Sequence, residues 1–403
     1  MKSISKLFFK ALLMFIAVLV VAFCVNEVPA RADYDETVRV STSKQLAAAI
    51  KNDKVGTIIL RTEADINITI KANKEASQKS LIIDAPRVHV TNKAKFYEII
   101  IQDAAEYIEK ANDNMIMLDA NCDFTVATKK AVKELVIYNP INLEGYLGYD
   151  IKKGGKIETI TIRYTKDVDS VYQFSAEINQ GIIRYTDIYG TLHNNLYTFD
   201  KNGRLINVKD LIGDLGADVT FAYNKNGDVA SIVEITGRGE MVTTYNYNSK
   251  GYLIDTYTEC DGEFISKQVI TRDSKGRIQN IDFYSGENGD DEELIASTSY
   301  EYDKKGRVIK YSAIGDSGYF VYNKYNSKGF VTQTKTEYNG MLMSIEEIKY
   351  NKKGDMTKKT TTNDMGEKYV IKYTYDELGE LTKETVTGPD GKTNSTDYTE
   401  SVG

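Results

Sequence analysis

The feature that most constrains this chain is a turn signature that recurs eight times in its second half. Each copy places Asp or Asn at its first position and Gly at its fourth: Asp200 with Gly203, Asn224 with Gly227, Asn248 with Gly251, Asp273 with Gly276. The series continues with Asp303 and Gly306, Asn326 and Gly329, Asn351 and Gly354, Asp376 and Gly379. Successive glycines lie 24, 24, 25, 30, 23, 25 and 25 residues apart. Asp or Asn caps a tight turn with its own side chain, and Gly supplies the left-handed residue that closes a type I turn with a G1 bulge. Each signature therefore predicts a β-hairpin.

Rings two residues apart, such as Tyr245 with Tyr247 or Tyr373 with Tyr375, lead into these turns and point to one face of a strand. An apolar residue follows each turn, from Leu205 and Val229 to Met356 and Leu381. A second set of glycines, including Gly239, Gly262, Gly340 and Gly366, falls midway and marks the opposite hairpin ends. Two strands per period predict an elongated antiparallel meander of about sixteen strands, in which stacked neighbours bury what one hairpin leaves open.

Residues 33–148 follow a different rhythm. After Thr42–Ile50, an amphipathic segment capped by Thr42 or Ser43, come short β-branched runs at 56–60, 66–70, 80–84, 88–90, 98–101 and 134–137. They suit a short parallel β-solenoid-like unit with a small capping helix, with a small sandwich as the alternative. The whole is an all-β expectation: solenoid-like unit at 33–148, linking strands at 149–196, and hairpin repeats at 197–403.

The first 32 residues stand apart. Lys2, Lys6 and Lys10 precede the apolar stretch from Ala11 to Cys24, and Ala30-Arg31-Ala32 ends it. This composition predicts a secretory signal peptide cleaved after Ala32, hence a protein that is secreted or held at the cell surface. These residues carry a net +3, so the formal charge of −7 becomes −10 without them. That balance argues against a nucleic-acid partner. No later stretch reaches the length of a membrane span. Cys122 and Cys260 fall in different units and predict two isolated thiols rather than a disulfide framework.

The Tyr-x-Tyr-Asp-x-x-Gly-x-Leu pattern over residues 197–388 resembles the YD or RHS repeat family. That resemblance implies β-hairpin ribbons of bacterial surface and toxin-delivery proteins, with carbohydrate or cell-surface binding. The chain departs from the pattern at Asn224, Asn248, Asn326 and Asn351, and only Arg204, Arg277 and Arg307 place Arg after the Gly. The N-terminal unit is similar in rhythm to the opening of pectate-lyase-like β-helices.

Catalytic raw material is thin. His89 lies between Val88 and Val90 as an outward strand residue, and His193 reads as loop. Asp84, Arg87 and Asp103 would be the best material for a polysaccharide lyase, the low-ranked enzymatic alternative. The acidic tip containing Asp290, Asp291 and Glu293 lacks the alternating spacing of a calcium loop. Neither a metal nor another cofactor is expected. Among the 29 tyrosines, Tyr257, Tyr311 and Tyr338 on outgoing strands are the candidate ligand contacts, because a ring offers an apolar face and a hydroxyl. Tyr247, Tyr302, Tyr350 and Tyr375 read as the ribbon's own packing. The expectation is a non-catalytic binding or adhesion protein whose partner is a glycan or a surface protein. A ligand-free spacer that self-associates edge to edge is the alternative.

Overall fold

The computed structural model describes residues 36–119, 122–138, 150–163, 171–175, 180–186, 192–211, 218–237, 239–286, 292–315 and 317–398. The signal segment lies outside them, and among them no helix is long and apolar enough to cross a membrane.

Two sheets account for the strands. In the first, β1 (Glu36–Val40) and β2 (Val55–Arg61) pair in parallel around α1 (Ser43–Lys51). Thr42 caps α1, its hydroxyl accepting from the Gln45 amide at 3.2 Å, and Leu46, Ala49 and Ile50 face the core. Parallel pairing then runs from β2 through β4 (Ser80–Asn92), β5 (Glu98–Glu109), β6 (Met115–Leu118) and β8 (Ala131–Tyr138) to β10 (Lys156–Arg163). Pro86 breaks the register within β4, since it has no amide to donate. Beyond it, the second halves of β4 and β5 form a second parallel ladder with β3 (Ile66–Ile70), β7 (Asp123–Val126) and β9 (Asp150–Ile151).

One column of side chains shows why these runs stack. Ile58, Leu81, Ile99, Ile116, Leu135 and Ile160 are direct partners on successive rungs, all essentially buried. Each is worth roughly 1.5–3 kcal/mol relative to exposure. The parallel register makes this unit a solenoid and not a sandwich.

β11 (Val171–Ser175) pairs antiparallel with β10 and ends the first sheet. The second sheet opens at β12 (Gln180–Thr186) and runs as an unbroken antiparallel meander to β29 (Thr393–Asp397). Its eighteen strands exceed the sixteen of eight hairpins because β12 precedes the first unit and β29 follows the last. His193, expected in a loop, belongs to β13 (Leu192–Phe199), where it pairs with Tyr185. Alternating residues on an open strand can be polar, so its neighbours Asn194 and Asn195 did not mark a turn.

All eight signature turns share one geometry. Their glycines have φ between +80° and +97°, and every ladder shifts register by one residue beside them. In the fourth, Asp273 Oδ1 accepts from the amides of Lys275 at 2.9 Å and Arg277 at 3.0 Å. The solenoid core continues into the first unit through Tyr197, Phe199, Leu205 and Val208, and reaches Val219 and Phe221. Beyond that most strand residues are partly exposed, although Phe330 and Val331 are buried next to the Gly329 turn, which meets Asp65 and Ile66. Cys122 and Cys260 are not bridged to each other.

Candidate binding face of the repeat sheet

One repeated link joins successive units. From the second unit on, the residue just before the turn reaches back to the carbonyl of the apolar residue that follows the preceding turn. Tyr223 donates its hydroxyl to Leu205 at 2.6 Å, Tyr247 to Val229 at 2.8 Å and Tyr302 to Ile278 at 2.6 Å. Tyr325, Tyr350 and Tyr375 do the same to Val308, Val331 and Met356 at 2.8–2.9 Å. These rings are tied down as structure, and burial raises the pKa of Tyr350 to about 12.

The residue after each glycine completes the link. Arg204, Arg277 and Arg307 lie 4.3–4.5 Å over the rings of Tyr223, Tyr302 and Tyr325 in the next unit. Each also pairs with its own turn aspartate. Where the first turn residue is Asn, the fifth is never a cation. Asn224 and Asn351 instead donate their amides to Asp228 at 3.1 Å and Asp355 at 2.8 Å, and Phe330 stacks on Tyr350 at 4.7 Å.

Cross-strand partners share a face, so the ladder registers sort the side chains of β21 (Glu293–Tyr302), β22 (Val308–Ile314), β23 (Gly318–Tyr325) and β24 (Val331–Tyr338). One face carries Thr298, Tyr300, Tyr311, Ala313, Tyr319, Val321, Thr336 and Tyr338 at paired positions, without a charged residue among them. The other carries Glu301, Lys310, Lys335 and Glu337. There Lys310 pairs with Glu301 at 3.0 Å and Lys335 with Glu337, and both lysines lie near the Tyr322 ring.

On the uncharged face the rings form a continuous strip. Tyr300 and Tyr311 have centroids 5.4 Å apart, Tyr311 and Tyr319 6.4 Å, and Tyr319 is paired across the strands with Tyr338. Tyr338 is in turn opposite Met341, the first residue of β25 (Met341–Tyr350). Exposure rises along the strip, to 40% at Tyr319, 41% at Tyr338 and 64% at Met341. Among the described residues no hydroxyl of this strip is tied to a carbonyl as those before the turns are, because its rings stand further from the turn row.

The structure therefore brings Tyr311 and Tyr338 into one strip and leaves Tyr257 elsewhere. Tyr257 lies on the opposite face, tilted against Phe264 at 5.3 Å. Tyr300, read in the sequence as one of the paired rings before a turn, and Tyr319 join Tyr311 and Tyr338, since only strand register reveals which rings are neighbours. Of the acidic tip, Asp290 and Asp291 lie outside the described residues, and Glu293 is exposed at the start of β21, opposite Ser285.

The solenoid candidates disperse. Asp84 receives Arg61 Nε at 2.9 Å and lies beside Asp103 on the next rung, while Arg87 is exposed on the far side of the Pro86 bend. His89 Nδ1 is 3.5 Å from Glu106, which holds the imidazole pKa up, and Asp123 follows on the next rung. Among the described residues no three ligating groups are placed to hold a metal ion.

The fold thus defines a class: a single-layer antiparallel repeat sheet attached to a parallel β-solenoid. No family model matches the chain, and no curated protein matches it. Among solved structures it is similar to the TcdB2-TccC3-Cdc42 crystal structure, at 14% identity and TM-score 0.30, over 57% of this chain and 14% of that one. The Tc holotoxin pore of Photorhabdus luminescens matches at 13% identity and TM-score 0.27, over 56% of this chain and 16% of that one. A porin-like protein from Bacteroides uniformis matches at 14% identity and TM-score 0.21, over 57% and 90%. The chain spans about one seventh of the length of the toxin chains it matches.

Proposed function

We propose that this is a non-catalytic binding protein of the YD or RHS repeat type, secreted or displayed at the cell surface, and that it takes an uncharged glycan on its ring-bearing sheet face. The observation that carries the reading is the strip of Tyr300, Tyr311, Tyr319 and Tyr338 on a face free of charged partners across β21–β24. Stacking on such rings favours the apolar faces of sugar rings, and neighbouring Thr298 and Thr336 supply hydroxyls. A charged ligand would lose hydration there without gaining an ion pair. The basic, apolar and small-residue pattern of residues 1–32 supports export.

The test is an array of neutral and acidic polysaccharides probed with residues 33–403 and with the Tyr319→Ala/Tyr338→Ala variant. Retention of neutral glycans by the parent and at least tenfold weaker retention by the variant is expected. Binding that survives the double substitution, or binding of acidic glycans alone, overturns the reading.

A further inference from the structure

The two ends of the repeat sheet are fastened to the solenoid by different physics. At the near end, Tyr197, Phe199, Leu205 and Val208 are continuous with the solenoid's apolar core. Main-chain bonds reinforce this join: the Ile157 amide donates to Asn202 at 3.0 Å and the Lys153 amide to Asn226 at 2.9 Å. The far end has no part in that core. It is held by Arg39 with Asp355, by Arg61 donating to Glu380 at 2.9 Å and to the Leu378 carbonyl at 3.3 Å, and by the Asp65 amide donating to Gly329 at 3.2 Å.

Those two acids are no accident of the surface. Asp355 and Glu380 occupy the position after the turn glycine in the seventh and eighth units, where units that meet no solenoid cation carry Arg or an aromatic. Asp228, the third acid in this position, meets Lys152 at 2.5 Å. Arg39 and Asp355 are 7% and 4% exposed, and Arg39 Nε and Nη1 have no hydrogen-bond partner among the described residues. A buried pair with unsatisfied N–H groups regains little of its desolvation cost, so it holds weakly once a competing state is open to water.

The lengths of the two sheets supply the opposing force. Fourteen strand steps separate the first and eighth signature turns, about 67 Å at about 4.8 Å per step. From β2 to β10 the solenoid offers five steps, about 24 Å at the same spacing. The repeat sheet must curl to reach both anchors.

We propose that the Arg39–Asp355 and Arg61–Glu380 pairs form a releasable latch. When it opens, the last units swing away from the first rungs while the apolar weld at the first unit stays closed. The latch is independent of any ligand.

Spin labels test it in residues 33–403, which lack Cys24, with Cys122 and Cys260 replaced by Ala. One pair at Lys74→Cys and Lys392→Cys reads the latch, and a second at Lys133→Cys and Lys225→Cys reads the weld. With Asp355→Asn/Glu380→Gln, a longer distance should become the major population at the first pair while the second pair keeps its distance. The exchange Arg39→Asp/Asp355→Arg should restore the short distance and so separates lost charge from lost folding. An unchanged first pair in the neutralised variant, or equal lengthening of both pairs, overturns the proposal.

Discussion

Arg272 lies 5.1 Å over the ring of Tyr252, holding the partnership of Arg277 and Tyr302 with the two residue types exchanged. The Arg272 guanidinium also donates to the Leu253 carbonyl at 3.2 and 3.4 Å, the bond that a tyrosine hydroxyl makes in six other units. Arg272→Ala removes both the ring contact and these bonds, and should cost about 2–3 kcal/mol. Tyr252→Arg/Arg272→Tyr writes the neighbouring units' order and should recover most of that loss. Urea unfolding of the parent, single and double variants decides; a double variant no better than the single would show that the two places are not equivalent.

Rings tied to carbonyls and rings of the strip should respond differently. Tyr350 packs on Phe330 and donates to Val331, so Tyr350→Ala should cost at least about 3 kcal/mol. Tyr338 is 41% exposed and its cross-strand partners Tyr319 and Met341 are themselves exposed, so Tyr338→Ser should cost under about 1 kcal/mol. Thermal melts of the two variants separate packing from surface. Equal losses would mean that the strip is part of the core.

Much of this was legible in the chain. Local chemistry sets the signature turns, so Asp or Asn and Gly at fixed offsets were enough to locate all eight hairpins. The solenoid was legible because its rungs repeat β-branched runs that bury on one side, although Pro86 and the second ladder were not separated from it. The strip was only half legible: Tyr311 and Tyr338 could be singled out by position, but their faces depend on bulges that shift register, which also put Tyr257 on the other side. The link between solenoid and far repeats was not legible, because Arg39 and Asp355 are 316 residues apart.

Two turn glycines with nearly the same backbone should differ in how they tolerate a methyl group. Gly251 at φ +80° has open space where a Cβ would lie, and Gly379 at φ +84° has the Arg39 guanidinium there. Gly251→Ala should cost about 1–2 kcal/mol from backbone strain alone. Gly379→Ala adds displacement of a buried cation and should cost at least about 2 kcal/mol more. Parallel urea titrations give both values, and equal costs would place Arg39 away from this turn in solution.

Glu109 makes the stability of the solenoid depend on pH. It is fully buried, and its carboxyl accepts from Tyr107 at 2.8 Å, the Ala111 amide at 2.7 Å and the side-chain amides of Asn92 and Asn114 at 3.0–3.2 Å. Burial raises its pKa to about 7, against these donors, which pull it down. A folded value above the unfolded one means that the folded state binds the extra proton. Its contribution is therefore complete below about pH 4.5 and is lost as pH rises through about 7, by on the order of 3 kcal/mol. Glu109→Gln cannot titrate and turns an N–H group toward a set of donors, so at pH 5 it should be less stable than the parent by at least about 1–3 kcal/mol. Because Asp119, raised to about 6 by burial, also titrates in this range, the decisive quantity is the difference between parent and variant. That difference should shrink from pH 5 to pH 8 in urea unfolding, and a difference that stays constant would mean that Glu109 is already ionised at pH 5 in the folded protein.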